Sequence, residues 1–444
     1  MMNSTIIMFS LTGFILVLMV FLQGFSRKVD LFSMRNMYLF SFLVYQIISP
    51  ATALYTENFT LFQVNSPAQS GKQLLIFVWI YLAVFLLSYH RLGLTPWVAK
   101  KFSGPPRETS DSFFLGLAVA LVVIALPLRL FGPGIPLIAK ASANVSIALA
   151  SVACGLAGWV WRNRRLNIPI VLMVLFIVGS SFAISLIGVF GRRFMLSVLV
   201  GFAWGVYHRR MKWMNPGRML LNIAPVMLVV FVAVSAFTAI RDNRKTAEAD
   251  IRQTMAEMQG AQIDTGAKDV FSGQTTGSAT LWALENYPDP LEPQMLYSLK
   301  FMAYWYIPSA IWPEKPTPLG NHIATLAKVD GVHRELITLP PGVIGYAAAE
   351  GGLIAVIVYA LFYGQFLRLF DEFVRLNPTN AFVLLPVGCA TGQVLGLARG
   401  DIAVFANLIL VSFISTYFLM YLVKRFFGKP SAQAYWVPAP QPQM

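Results

Sequence analysis

Residues 6–25 read IIMFSLTGFILVLMVFLQGF, a run with no charged side chain. As a helix rising 1.5 Å per residue, it is about 30 Å long, the thickness of a bilayer's hydrocarbon core. It is too long for the apolar centre of a typical secretory signal, and no small-x-small cleavage pattern follows, so it reads as a retained span. The rest of the chain repeats the theme. Of 444 residues, 57% are hydrophobic and 12% charged, whereas a soluble domain carries about a quarter charged residues. Eleven candidate spans fall at about 4–23, 37–56, 73–90, 112–130, 143–161, 168–188, 194–208, 219–239, 349–367, 380–398 and 402–422. The expected fold class is an all-α polytopic membrane protein of about 11 transmembrane helices with one large extramembrane loop. Residues 1–240 would hold helices 1–8, 241–348 the loop, 349–427 helices 9–11, and 428–444 a Pro-rich tail.

Lysine and arginine in short loops set the orientation. One side holds nineteen of them, including Arg35, Lys100, Arg164, Arg210, Arg375 and Lys429; the other holds six: Lys72, Arg129, Lys140, Arg192, Arg193 and Arg399. The basic side is expected in the cytoplasm, with the N-terminus outside and the C-terminus inside. The net charge of +14 is then largely a topology signal, with anionic lipid headgroups as its counter-surface, and nucleic acid is not an expected partner. Cys154 and Cys389 both lie in apolar runs and read as buried thiols. No Cys, His, Asp or Glu grouping has metal-ligand spacing, and neither a phosphate-binding GxxxxGK[ST] loop nor a dinucleotide fingerprint occurs, so no metal and no cofactor is expected.

The loop 241–348 falls on the outer face. Residues 241–350 contain 13 of the chain's 20 acidic residues. Residues 244–259 (RKTAEADIRQTMAEMQ) suit a surface helix, with Glu248 and Arg252 four apart. Residues 260–277 are polar and Gly-rich and are expected to be mobile. Residues 296–307 (LYSLKFMAYWYI) are aromatic but too short to span, and suit an interfacial or re-entrant helix. The next stretch, IPSAIWPEKPTPLG from residue 307, carries four prolines. Each fixes its own φ and disfavours helix in the residue before it, so an extended, rigid lid on the membrane surface is expected.

Three separate span ends bring arginine to the outer boundary: Arg192 and Arg193 in FGRRF, Arg241 in FTAIRDNRK, and Arg399 in LARGD. Ionisable groups at membrane depth are costly and tend to mark function. The guanidinium fork suits bidentate phosphate binding, so these arginines form a candidate cradle for a lipid-linked phosphate. The plainer reading is that each snorkels to a headgroup. His322 and His333 lie on the outer loop and could accept a proton near neutral pH, or be solvated loop histidines. Glu350 could be a base, an arginine partner, or an acid favoured at a helix start. His90 and His208, in basic surroundings, read as topological only.

FGRRFML at 190–196, IPSAIWPEKP at 307–316, GYAAAEGGLIAVIVYALFYG at 345–364 and LARGD at 397–401 together resemble the O-antigen polymerases of bacteria, the Wzy-type oligosaccharide repeat-unit polymerases. The resemblance covers about residues 167–427; the first five spans match only in general character. It implies a metal-independent glycosyltransferase of GT-C type in the bacterial inner membrane. Such enzymes transfer a growing glycan from undecaprenyl pyrophosphate to the next lipid-linked repeat unit at the periplasmic face. Arg192 or Arg193, Arg241 and Arg399 would correspond to the family's periplasmic, pyrophosphate-binding arginines, and His322 or Glu350 would serve as the base. The family often has an aromatic-Gly pattern after the acid before the late span, and here Glu350 is followed by Gly351 and Gly352. Implied partners are undecaprenyl-pyrophosphate-linked glycans and membrane lipids, with a chain-length regulator and a flippase as further candidates. The alternatives are an O-antigen ligase acting on lipid A-core, and a non-enzymatic polysaccharide or lipid transporter. A transporter would favour charges at mid-membrane in two related halves, which this chain lacks.

Overall fold

The computed structural model describes residues 2–26, 29–59, 61–102, 107–162, 166–187, 192–215, 217–219, 221–222, 275–308, 310–327 and 340–430. The helices, in chain order, are α1 (Met2–Phe25), α2 (Met34–Thr56), α3 (Pro67–Arg91), α4 (Leu94–Phe102), α5 (Asp111–Phe131), α6 (Ala139–Trp161), α7 (Ile168–Leu186) and α8 (Arg192–Arg209). They continue with α9 (Thr276–Asn286), α10 (Tyr297–Tyr304), α11 (Leu319–Leu326), α12 (Gly342–Ala349), α13 (Leu353–Leu376), α14 (Ala381–Leu397) and α15 (Ile402–Phe427). A two-residue antiparallel pairing joins Arg107–Glu108 to Lys429–Pro430. Among the described residues, eight helices are long and apolar enough to cross a membrane: α1, α2, α3, α5, α6, α7, α13 and α15. The chain is thus a polytopic α-helical membrane protein. Helices α8 and α14, with 18 and 17 residues, match two further expected runs. Most of the run at 219–239, the helix at 244–259, Arg241, His333 and the tail beyond residue 430 lie outside the described residues.

Local signals set the helix starts. Ser33 caps α2 by accepting from Asn36 N, Ser110 caps α5 from Phe113 N, and Asn167 caps α7 from Ile170 N. Helix α2 is not regular throughout: residues Leu43–Ile48 form a π turn. Such turns break the hydrogen-bond ladder and often mark functional positions.

Helix α8 is wedged between α6 and α14 by small residues. A Cβ on Gly205 would sit 2.0 Å from Gly155 O, and one on Gly201 2.4 Å from Ser151 Oγ. Backbones this close allow Ser151 Oγ to donate to Ser197 O at 2.6 Å, the close small-residue packing that holds helices together where lipid supplies no hydrophobic drive. On the other flank Trp204 Nε1 donates to Leu384 O at 2.9 Å. The N-terminal end of α8, with Arg193, is therefore held firmly against the loop between α14 and α15.

The stretch 241–348 is not wholly a surface loop. In α9 the residues Thr276 to Leu284 are buried, and all eight residues of α12 are buried. Gly277, expected at the end of a mobile stretch, is packed so tightly on α2 that a Cβ would meet Ser49 and Pro50 backbone at 2.6 Å. Both helices are too short to span, so hydropathy assigned them to the loop; their small, apolar side chains fill the bundle instead. The late span begins at Leu353, after a turn in which Gly351 and Gly352 have φ of 134° and 61°. That turn places Glu350 at the C-terminal end of α12, so it is not an acid in the first turn of a span as the sequence suggested. Arg35, counted among loop residues, is 0% exposed.

Candidate functional site

The LARGD turn is the centre of the arrangement. Helix α14 ends at Leu397, and the N–H groups of Arg399 and Gly400 both bond to Gly396 O, at 3.2 and 2.9 Å. Asp401 then caps α15: its Oδ1 accepts from Ala403 N at 3.0 Å and Val404 N at 3.1 Å. Neighbouring elements grip the turn from behind. Ala398 O accepts from Val343 N at 3.0 Å, at the start of α12, and from Gln46 Nε2 at 3.2 Å. Gln46 comes from the π turn of α2, which explains that irregularity: it aims a side-chain amide at a carbonyl beyond a helix end. Ser41 Oγ donates to Leu395 O at 2.7 Å.

On this platform Arg399 lies with its guanidinium carbon 5.7 Å from the Tyr45 ring centroid. Arg193, the second residue of α8, lies between two rings, 5.0 Å from that of Phe194 and 5.2 Å from that of Phe405. Arg399 is near enough to act electrostatically on Arg193. Two of the expected arginines therefore converge. Aromatic faces near a guanidinium contribute about 0.5–2 kcal/mol each, which helps offset the repulsion between two cations. Arg192 occupies the first position of α8; its side chain and Arg241 lie outside the described residues.

Arg129, one of the six basic residues counted on the less basic side, joins this group from α5. Its guanidinium donates to Ile187 O, by Nε at 2.8 Å and by a second nitrogen, and to Ala143 O at 3.2 Å. Its carbon is 5.3 Å from the other arginine-bearing ring, Phe194. With its donors on carbonyls beyond α7 and in α6, Arg129 braces the wall on which Arg193 stands.

Glu350 lies in the turn between α12 and α13, 0% exposed. It accepts from Ser298 N at 2.8 Å, from Ser298 Oγ at 2.5 Å and from the Tyr359 hydroxyl. Burial pushes its carboxyl up to about 7, against the pull of these hydrogen bonds, and the nearby Asp401 adds to the rise. Burial likewise raises Asp401 to about 6, opposed by the N–H groups of Val404, Ala403, Gly320 and Leu319. Leu319 and Gly320 open α11, so the carboxyl that caps α15 also faces the start of α11. Its Oδ2 nevertheless completes no hydrogen bond of normal geometry, so the contact to α11 is the looser of the two. Tyr297 and Tyr346 feel both carboxylates. The Tyr346 hydroxyl is buried without a hydrogen-bond partner among the described residues.

The Pro-rich segment is fastened to α10 and the residues that follow it. Lys315 Nζ donates to Trp305 O and Ile307 O, both at 2.8 Å, capping the end of α10 with a cation where the helix dipole favours one. Tyr297 OH donates to Thr317 O at 2.6 Å, and Trp312 meets Tyr304 edge-on at 5.7 Å. Tyr306 OH, just past α10, donates to Asn407 Oδ1 at 2.8 Å, tying this segment to α15. His322, on α11, is exposed; its Nε2 lies 3.1 Å from Thr317 Oγ1 and its ring stands edge-on to Tyr297 at 6.3 Å. Hence His322 can meet a hydroxyl arriving from solvent, whereas Glu350 can do so only if Ser298 and Tyr359 let go.

The structure thus brings together Arg193, Arg399, Glu350 and Asp401, with His322 one aromatic ring away. Asp401 was legible as a helix cap, since it directly precedes an apolar run; Ser298, Tyr359 and Tyr45 carry no such signal. Among the described residues no group of three or more His, Cys, Asp or Glu could hold a metal, and both cysteines are buried and free. Two open, apolar grooves lie between α1 and α3 around Trp79 and between α5 and α15 around Phe113, and none of the site residues above lines them. Comparison with protein-family models, curated proteins and solved structures gives no match to this chain, so its own residues and their geometry are what a functional reading rests on.

Proposed function

We propose that the protein is a polysaccharide polymerase of GT-C type, acting on lipid-linked oligosaccharide repeat units at the outer face of a bacterial inner membrane. The observation that carries the reading is the convergence of Arg193 and Arg399 beside two buried carboxyl groups, one of which, Asp401, faces the start of the helix that follows the Pro-rich segment. The arginines would hold the pyrophosphate of an undecaprenyl-linked glycan and stabilise the charge that develops as it leaves. In the transfer, the bond from the anomeric carbon to the phosphate oxygen breaks and a bond to an acceptor sugar oxygen forms. The acceptor's hydroxyl proton passes to His322, the better placed of the two candidate bases. Glu350 would serve this site from beneath, by holding the start of α10. The Pro-rich segment would keep water from competing with the acceptor. The substrate carries its own driving force in the pyrophosphate, consistent with a site built from arginine and aromatic rings.

The orientation that follows puts the N-terminus in the periplasm and the C-terminus in the cytoplasm. The test is genetic. Deleting the gene in the organism that carries it and separating the surface polysaccharide on a gel should leave single repeat units on the core. Bare core with glycan kept on the carrier lipid would instead identify a ligase, and unchanged polysaccharide would rule out both.

A further inference from the structure

Two guanidinium groups near enough to act on each other electrostatically need something to hold them there. For Arg193 the two flanking rings are Phe194, its own neighbour in α8, and Phe405, from α15. Phe405 reaches that place only because Gly396 and Gly400 lack side chains. A Cβ on Gly396 would fall 2.3 Å from Phe405 Cε1, and one on Gly400 1.9 Å from Phe405 Cε2. The two contacted carbons lie on opposite sides of the ring, so the phenyl group is laid across both glycines. The glycines flank Arg399 in the turn that Gly396 O closes by accepting from the N–H groups of Arg399 and Gly400. Phe405 therefore touches the backbone that presents Arg399 and, at 5.2 Å, the guanidinium of Arg193. It is half-buried, as a surface lining the edge of a site would be.

We propose that Phe405 is a positioning residue for anion binding: its ring, seated on Gly396 and Gly400, holds Arg193 in register with Arg399. The inference rests on the phosphate-cradle reading for its purpose, but the positioning can be measured without it. Leucine at 405 removes the flat face. Alanine at 396 keeps the ring but forces it off its seat, and alanine is well tolerated within a helix. Two unlike substitutions should thus produce one effect, displacement of Arg193.

The test uses the full chain purified in lipid nanodiscs, with phenylglyoxal as an arginine-modifying probe and mass spectrometry to read each site. Phe405→Leu and Gly396→Ala should each raise the modification rate of Arg193 by about threefold, the scale set by losing one cation–ring contact. Arg35, buried elsewhere in the bundle, should keep its rate. An unchanged Arg193 rate in both variants would overturn the proposal, and so would an equal rise at Arg35, which would mean general loosening. Inorganic pyrophosphate is the second arm. It should protect Arg193 and Arg399 together in the wild type, and Arg399 alone in the variants. If pyrophosphate protects neither arginine in the wild type, the cradle reading and the anion-binding purpose of Phe405 fall together. The probe rates then decide separately whether Phe405 positions Arg193.

Discussion

The two ends of α13 handle charge in opposite ways. Near its last turns Asp371 accepts from the N–H groups of Met34 and Arg35, at 2.7 and 3.1 Å, and from Tyr89 OH at 2.7 Å. The same carboxylate acts on the Arg35 guanidinium, which also donates to Asn36 Oδ1 and lies 3.1 Å from His90 Nε2. Lys212 pairs with Asp30 at 2.8 Å, and Arg375 with Glu372 at 2.6 Å. Here cations meet carboxylates and helix starts meet caps. Some 27 Å away along the helix, at 1.5 Å per residue, Arg193 lies against rings and near another arginine, while Glu350 and Asp401 spend their oxygens on hydroxyl and N–H groups. Matched charges hold a structure together. An arginine kept on aromatic faces, as Arg193 is, offers a ligand its charge and its planar fork.

The largest expected effect tests this contrast directly. Arg399→Ala should lower long-chain product at least about 100-fold, the cost of one charge-stabilising donor, with protein level in the membrane little changed. Arg399→Lys should recover only part, because the fork is lost with the charge kept. A comparable fall in abundance would put Arg399 in the structural class with Arg35, and the contrast would fail.

At the opposite end the roles should reverse. Asp371→Ala leaves the buried Arg35 uncompensated and uncaps α2, and should cost about 3 kcal/mol of stability. The measurement is the thermal midpoint and yield of detergent-purified protein, and activity per folded molecule should hold. Full stability with selective loss of activity would show that this end, too, serves the reaction.

The buried carboxylates give a pH signature of known sign. Glu350 keeps its proton in the fold up to about 7, whereas its ordinary value is 4.5. Between these values the folded state binds more protons than the unfolded chain. The stability Glu350 contributes is therefore complete below 4.5 and is lost as pH rises through 7. Asp401, raised from 3.8 to about 6, acts in the same direction. The thermal midpoint should fall as pH is raised from 5 to about 8, and Glu350→Gln should flatten the slope. A midpoint that climbs over this range would mean that the carboxylates are ionised and paired in the fold.

The smallest effect concerns the Pro-rich segment. Pro313→Ala with Pro316→Ala releases two fixed backbone angles, worth about 0.4–1 kcal/mol each in the unfolded chain. Product yield at equal protein level should drop severalfold, because Lys315 and Thr317 anchor the segment between these prolines and α11. Unchanged yield and chain length would make the segment a connector only.

Much of this was legible in the sequence. Long apolar runs name themselves, since a helix must satisfy its own backbone in lipid and needs about 20 residues to cross. Most described helices follow the expected runs, although α3 starts six residues earlier and α13 ends nine residues later than expected, and Arg193 and Arg399 were marked by position alone. The short helices were not legible: α9 and α12 fall below spanning length, and hydropathy cannot tell a buried short helix from a loop. Nor was the turn before α13, where two glycines with positive φ move Glu350 from a helix start to a helix end.

By itself the sequence determined that the chain is a multi-pass membrane protein, where most of its long apolar helices lie, and that Arg193 and Arg399 stand near helix ends. Each of those follows from local composition and a solvent that punishes exposed polarity. Only tertiary structure decided which of these residues meet. Arg193 and Arg399 are 206 positions apart, and Glu350 is joined to Ser298 and Tyr359 by contacts that no spacing encodes. Their meeting depends on how closely α8 packs on α6 and α14. That is set by glycines whose missing side chains let backbones touch, a property of pairs of helices and not of any one of them.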